Sequence, residues 1–369
     1  MRVGIYDIDA PALERIRSGT MPFQERGADE LLGAMLRAGR LELSADPRML
    51  ESSNCLVFVI GTPIDEFLNP KLGVFREAVN VLAPHIRDHA LVVLRSTVFP
   101  GTTEVVAEML RDHHKDVDIA FCPERIVEGQ ALEEMRSLPE IIGADTRSAG
   151  DRAEALWRRL APSTVRVSIR EAEVAKLLAN AWRYMKFAVA NQFFMLAHSA
   201  GIDYNNVLRA IREDYPRAQD LPGPGFAAGP CLLKDTMQLA AFSADRFPLG
   251  HSAMQINEGL PGYVVAAMER RFGALRGRSV GILGMAFKAE SDDPRASLSF
   301  KLRRLLLWEG ANVLCTDPYV RDDRLVPLDR VLADSEILVI GAPHRAYRDV
   351  EIPAERLVDI WGAYGPIGL

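Results

Sequence analysis

The residues best placed to do chemistry lie in the stretch GPGFAAGPCLLKD, residues 223–235. Cys231 follows a proline suited to the first turn of a helix. A thiol there stands at the positive end of the helix, which lowers its pKa and favours thiolate. Asp235 comes four residues later and shares a helical face with Cys231, with Lys234 beside it. A carboxylate so placed can act as a base or orient a water. The implied chemistry is attack by a thiolate. The alternative is a small buried cysteine in an ordinary loop-to-helix join. The Gly-Pro-Gly before it and the Lys-Asp after it favour chemistry.

Lys176 and Asn180 stand four apart and project from one helical face in an otherwise apolar stretch. A lysine and an amide on one face can hold an oxyanion; the competing reading is a solvated stripe, and Arg183 and Lys186 read as ordinary surface residues. Ser96 and Thr97 close an apolar run and could hold a water or a cofactor by a hydroxyl. Glu124 and Glu128, four apart in CPERIVEG, are paired carboxylates suited to acid/base work, although Glu128 could simply cap or solvate a helix. The seven histidines show no metal-ligand spacing, and His113-His114 reads as a surface turn. No metal is expected.

Elements must bring these groups to the right places. CLVFVIG (55–61), ALVVLRSTV (90–98) and VDIAFCPE (117–124) are apolar runs, with helical patterns near 72–84 and 102–111 between them. Apolar strands separated by helices predict a parallel sheet covered on both faces, with ligands bound beyond the carboxyl ends of the strands. Gly61-Thr62-Pro63, Ser96-Thr97 and Pro123-Glu124 all lie at such ends. From about 171 to 200 the apolar spacing predicts one long helix, stopped by Gly201. A second α/β unit follows, with strands in RSVGILGMAFK (278–288), GANVLCTDP (310–318) and SEILVIGAP (335–343). The domain boundaries read as 1–165, 166–265 and 266–369.

The 369 residues carry a net charge of −6, which gives no reason to expect nucleic acid or an anionic membrane as partner. The four cysteines form no CxxC pair, so neither a disulfide framework nor a zinc site is implied. No apolar run of 18 residues is present, and the chain reads as cytoplasmic.

The two α/β halves form a weak repeat. VGIYDID matches NVLCTDP, and NCLVFVIGTP matches SEILVIGAP. In the second half the strand VGILG precedes Asp317; its counterpart in the first half would lie upstream of Met1. The first domain is therefore expected to miss its first β-α unit, through a misplaced start or a truncation of the chain rather than a true loss. The strand VGIYDI would then re-pair, stay exposed or be disordered.

Taken together, DID (7–9), GTP (61–63), STVFPGTT (96–103), CPERIVEG (122–129), AEVAKLLANAWR (172–183), GPGFAAGPCLLKD (223–235) and GMAFKAESDDPRAS (284–297) resemble the UDP-glucose/GDP-mannose dehydrogenase family of nucleotide-sugar 6-dehydrogenases. They run in family order over nearly the whole chain. The resemblance implies two Rossmann-like parallel-sheet domains joined by a long central helix, which would form the core of a homodimer. It implies NAD as cofactor and a UDP-sugar as substrate. The C6 alcohol is oxidised to a carboxylate in two steps through a Cys231 thiohemiacetal and thioester, in a polysaccharide or glycoconjugate pathway.

By the same resemblance, Lys176 and Asn180 stabilise the oxyanion, Asp235 with Thr97 handles the water or its proton, and Glu124 is the other acid/base candidate. Asp7 holds the adenosine ribose, Thr62 and Pro63 line the cofactor cleft with Thr97, Glu128 approaches the nicotinamide and Arg295 reaches across. Arg125, Ile126, Lys288 and the loop bearing Gly225, Phe226 and Gly229 hold the nucleotide diphosphate and sugar, with Glu124 and Lys176 beside them. Two features depart from the family. The opening strand with its Gly-x-Gly-x-x-Gly turn is not in this sequence. The cysteine loop has a Pro-Gly-Pro-Gly start like the N-acetylhexosamine members and a Lys-Asp end like the UDP-glucose members, so the sugar stays open. The alternatives are a non-catalytic nucleotide-sugar-binding or dimerising remnant and, with little support, a cysteine hydrolase.

Overall fold

The structure is a computed structural model that describes residues 1–62, 65, 71–227, 229–244, 246–365 and 369. The expectation placed on Pro63 lies outside the described residues. The chain divides into two compact units, the first made of residues 1–179 and 241–244, the second of 180–240 and 245–369.

The first unit opens with β1 (Val3–Tyr6), α1 (Ala10–Arg17), α2 (Ala28–Arg37) and β2 (Leu41–Ser44). Asp9 starts α1 by accepting from the Ala12 N–H, and a proline stands in its first turn. β1 pairs with β2 in parallel, Val3 against Leu41 through Tyr6 against Ser44. These two strands form a sheet of their own. The strand VGIYDI thus re-pairs on one side, and Val3 remains exposed.

A separate five-stranded sheet follows: β3 (Cys55–Phe58), β4 (Leu91–Leu94), β5 (Asp118–Phe121), β6 (Glu140–Gly143) and β7 (Thr164–Val167), side by side in that order. All four residues of β4 are buried, because helices cover both faces of a central parallel strand. The helices between the strands are α3 (Leu72–Leu82), α4 (Thr102–Asp112), α5 (Ala131–Ser137), which buries none of its residues, and α6 (Arg147–Trp157). The sheet is parallel except where β5 meets β6 through the Phe121–Gly143 pair.

The long helix α7 spans Ile169–Ser199, within two residues of the range its apolar spacing predicts. Its first turns are tied to the first unit by Glu173, which is buried and accepts from the backbone N–H of Gly101 and Thr103 at 2.6 and 2.9 Å. The Glu173 carboxylate thereby satisfies orphan donors at the start of α4. Leu178, Trp182, Val189, Phe193 and Leu196 are exposed on α7. At 3.6 residues per turn they fall within about 60° of one another, a single apolar stripe.

The second unit holds α8 (Tyr204–Arg212), α9 (Leu232–Phe242), which ends in the first unit, and α10 (Pro248–Phe272). Its sheet is built from β8 (Ser279–Leu283), β9 (Asn312–Thr316), β10 (Ile337–Ile340) and β11 (Leu357–Val358), with α11 (Leu298–Trp308) and α12 (Leu328–Asp334) between strands. The order is β11-β10-β8-β9, all parallel. β8 lies between β9 and β10. By the internal repeat, β9 corresponds to β1 and β10 to β3. In the first unit those two lie in different sheets, and the place of β8 has no counterpart among the described residues.

Candidate active site

In the second unit Cys231 is exposed at the start of α9. Its carbonyl accepts the Asp235 N–H at 2.9 Å, the first helical bond there. The thiol therefore stands where the unpaired N–H groups of the first turn favour an anion. One turn on, Asp235 is buried, 1% exposed. Asn180, on α7 and also buried, donates its amide to Asp235 Oδ2 at 2.5 Å. Lys234 Nζ lies 3.2 Å from the other oxygen, Oδ1, as an ion pair without hydrogen-bond geometry. Asn180, Lys234 and Asp235 are thus one cluster, assembled from two helices, and Cys231 joins it through the backbone at the start of α9.

The loop leading to Cys231 is held by its backbone. Asn191, fully buried on α7, accepts from the Gly225 N–H at 2.8 Å and donates to the Gly225 C=O at 3.1 Å. The same amide nitrogen reaches Asn257 Oδ1 at 2.9 Å, and Asn257 donates to the Tyr184 carbonyl at 3.1 Å. Gly225 has a φ of +151° and lies against Trp361, so a Cβ would fall 2.3 Å from the ring. Gly229, at φ +104°, meets Phe287 in the same way, at 2.6 Å. Phe226 is buried edge-on to Trp361. Lys288 Nζ lies over the Phe287 ring at 5.6 Å. Arg295 is exposed and paired with Asp293 at 2.6 Å.

In the first unit, Glu124 follows β5 and is fully engaged. Oε1 accepts from the backbone N–H of Arg125 and Ile126 at 2.8 and 2.9 Å. Oε2 accepts from Arg95 Nε at 2.8 Å and forms an ion pair with Nη2 at 2.5 Å. Arg95 is buried at the end of β4, donates to the Cys122 carbonyl and to Glu140, and stacks on Trp157 at 4.1 Å. Burial pushes the Glu140 carboxyl up, with the Arg95 cation opposing. The Arg125 guanidinium is tied to the Pro139 carbonyl.

At the adjacent strand end, Thr62 Oγ1 donates to the Thr97 carbonyl at 2.7 Å. Ser96 Oγ is buried and has no hydrogen-bond partner among the described residues. Asp7 is exposed beyond β1, and its Oδ1 accepts the Asp9 N–H at 2.9 Å. Glu128 is half-buried in a turn whose Gly129 and Ala131 N–H groups are held by Glu25. Lys176 is buried on α7, one turn before Asn180, which sets it apart from a solvated stripe.

Three features have no place in the sequence reading: Arg95 behind Glu124, Asn191 behind Gly225, and a buried Asp317–His344 contact in the second unit. Two have a faint signal: Arg95 is a charge straight after four apolar strand residues, and Asn191 is an amide inside an apolar helix.

Residues 1–161 match the NAD-binding domain of the UDP-glucose/GDP-mannose dehydrogenase family, 170–259 its central domain and 281–366 its UDP-binding domain. UDP-N-acetyl-D-mannosamine dehydrogenase of Pyrococcus horikoshii is 30% identical over 358 residues, covering 94% of this chain and 84% of the relative. The enzyme of that name in Escherichia coli K12 is 27% identical, covering 97% and 92%. The fold of a UDP-glucose dehydrogenase from the archaeon Pyrobaculum islandicum superposes with a TM-score of 0.92 at 29% identity, over 99% of this chain and 91% of that one. Fold and site together define an NAD-dependent oxidoreductase of two Rossmann-like units. The buried, unpartnered Ser96 hydroxyl after β4 and the exposed Asp7 carboxylate after β1, each at a strand end of the first unit, fit such a cofactor. The chain belongs to the UDP-glucose/GDP-mannose dehydrogenase family.

Proposed function

We propose that the protein oxidises the C6 alcohol of a UDP-sugar to a carboxylate, with UDP-N-acetylmannosamine the first candidate and UDP-glucose the second. The observation that carries this reading is the cluster of exposed Cys231 and buried Asp235, held by Asn180 at 2.5 Å. The mannosamine preference rests on the relatives' names and on the Pro-Gly-Pro-Gly opening of the cysteine loop.

NAD, when bound, accepts the hydride at each of the two oxidations. Asp7 would hold its ribose, and Thr62, Ser96 and Thr97 would line its place at the strand ends. The remaining chemistry belongs to the chain's own side chains. Loss of the first hydride and a proton turns the alcohol into an aldehyde. Cys231 thiolate adds to that carbon, giving a thiohemiacetal. Loss of the second hydride gives a thioester, and water cleaves it to the carboxylate and free thiolate. Covalent capture keeps the aldehyde and divides a hard oxidation into easier steps.

Asn180 gives one amide hydrogen to Asp235; its second is the one an oxyanion would use, with the Lys176 ammonium supplying charge. Asp235 would take the proton of the attacking water. Glu124, already bonded through both oxygens, would act by fixing the Arg125–Ile126 turn for the nucleotide sugar. The apolar stripe of α7 is proposed as the face that pairs two copies of the chain.

NADH formation with UDP-N-acetylmannosamine, UDP-N-acetylglucosamine, UDP-glucose and GDP-mannose tests the reading. Two NADH per sugar with one UDP-sugar is expected, and no more than one from a Cys231→Ala variant, which lacks the thiol that the second oxidation needs. Retained UDP binding without NADH from any of the four would overturn it.

A further inference from the structure

The glycine turn of the second unit is closed by a carboxylate of its own. In Rossmann-type units the acid at the end of the second strand reaches for a ribose, and the turn after the first strand offers its N–H groups to phosphate. In the second unit β8 leads into Gly284, whose φ is +98° and whose missing Cβ leaves room for the Ala342 backbone. The acid after β9 is Asp317. It points back into the turn. Oδ2 accepts the Met285 and Ala286 N–H groups at 2.6 and 2.9 Å, and Oδ1 accepts those of Tyr319 and Val320 at 2.8 and 2.9 Å.

His344, after β10, completes the arrangement. Its side chain and that of Asp317 are both wholly buried. His344 Nδ1 accepts the Glu290 N–H at 3.0 Å, so Nε2 carries the proton and donates to Asp317 Oδ2 at 3.2 Å. The two side chains thus pin both ends of the segment 285–290: its first two residues through Asp317, its last through His344. Lys288 lies within that segment, and Phe287 packs against Gly229, two residues from Cys231. Further along, the Ser297 hydroxyl donates to the Ala286 carbonyl at 3.1 Å, and the Phe287 N–H to that of Asp293 at 3.0 Å.

We propose that Asp317 and His344 are a positioning pair that sets the register of the 285–290 segment, and with it Lys288 and the cysteine loop, for a nucleoside diphosphate. The pair touches no substrate in this scheme; it acts through the segment it holds. The proposal rests on the UDP-sugar reading above.

The test compares D317N, H344N and H344Q with the parent chain by calorimetric UDP binding, by steady-state kinetics and by thermal melting. H344N keeps an acceptor near the Nδ1 position and loses the donor to Asp317. H344Q places an amide N–H where Nε2 donates. H344N should weaken UDP binding about tenfold, the effect of one lost buried hydrogen bond, and D317N by more, since the amide nitrogen cannot accept the two or more bonds made to the oxygen it replaces. They should raise KM for the nucleotide sugar to match, and leave kcat and KM for NAD within about twofold. H344Q, which restores the donor but gives up the acceptor for the Glu290 N–H, should weaken UDP binding as H344N does, each variant having lost one of the two bonds. Unchanged UDP affinity in H344N overturns the proposal, as does a rise of both KM terms in step with a fall in melting temperature in every variant. If D317N does not fold, H344N and H344Q still decide. A parent chain that forms no NADH defeats the dehydrogenase reading alone, since the UDP affinities still judge the pair.

Discussion

Asn180 and Asp235 are 55 residues apart in the chain, yet the amide of one donates to the carboxylate of the other at 2.5 Å inside the second unit. The bond ties α7 to the first turn of α9. It aims a buried carboxylate from the same turn that carries an exposed thiol. A D235N variant keeps the shape and a hydrogen-bond partner for Asn180 but removes the base. Its kcat should fall by about 10²–10⁴-fold, the usual contribution of a general acid or base, with KM for the sugar little changed. Parent-like kcat with full folding would remove Asp235 from proton transfer.

Thiol reactivity should be confined to one position. Cys122 and Cys315 are buried, which pushes their thiols up to about 12 and about 11. Burial raises Cys55 as well. Only Cys231 is exposed, at a helix start. Iodoacetamide at pH 8 should alkylate Cys231 and spare the other three in the folded chain, as read by peptide mass mapping. Saturating UDP-sugar should slow that labelling. Equal modification of Cys122 in the folded state would contradict the burial seen here.

Arg95 should matter more for stability than any surface cation. It is a single buried charge shared by Glu124 and Glu140 and stacked on Trp157. Removing one partner of a buried ion pair leaves the others uncompensated, at a cost of about 3–5 kcal/mol. R95M should therefore lower the urea midpoint strongly. A R95M/E140Q double variant should recover part of the loss, since it also removes a desolvated acid. Additive losses in the double variant would mean that Arg95 and Glu140 do not act as a pair.

The Asp317 carboxyl makes an acid-dependent contribution. Burial pushes its pKa up, but the His344 bond and the Val320 and Tyr319 N–H groups outweigh this and hold it at about 2, against an ordinary 3.8. A carboxylate held down in the fold stabilises it fully above the ordinary value. That contribution disappears as pH falls through the folded one, and amounts to roughly 2 kcal/mol. The stability gap between the parent and D317N, measured by urea unfolding, should be constant above pH 5 and shrink towards pH 2. A gap unchanged down to pH 2 would show that ionisation of Asp317 is not its source.

Much of the architecture is legible from periodicity. The 3.6-residue spacing after residue 171 locates α7, and unbroken apolar runs mark β4, β8 and β10, because strands covered on both faces leave no polar positions. Shorter strands with polar positions, such as LELS in β2 and TVRV in β7, leave too little pattern to read. The site divides in the same way. Cys231 and Asp235 are neighbours in sequence, so their shared face is visible there. Arg95 meets its carboxylates 29 and 45 residues away, and Asn191 meets Gly225 34 residues on. Those partnerships come from strand order and helix packing, which local spacing does not encode. Asp317 is recognisable as an acid at a strand end, but its turn inward depends on His344, which another strand delivers.

The grip of Asn191 on Gly225 has a consequence for divergence. It uses only the N–H and C=O of the loop residue, so the anchor itself does not depend on side-chain chemistry. The space around it does: Trp361 and Phe287 occupy the places where Gly225 and Gly229 would carry a Cβ, and Phe226 is buried. Change in this loop is therefore channelled away from these three positions, and the approach to the thiol is inherited as a fixed frame.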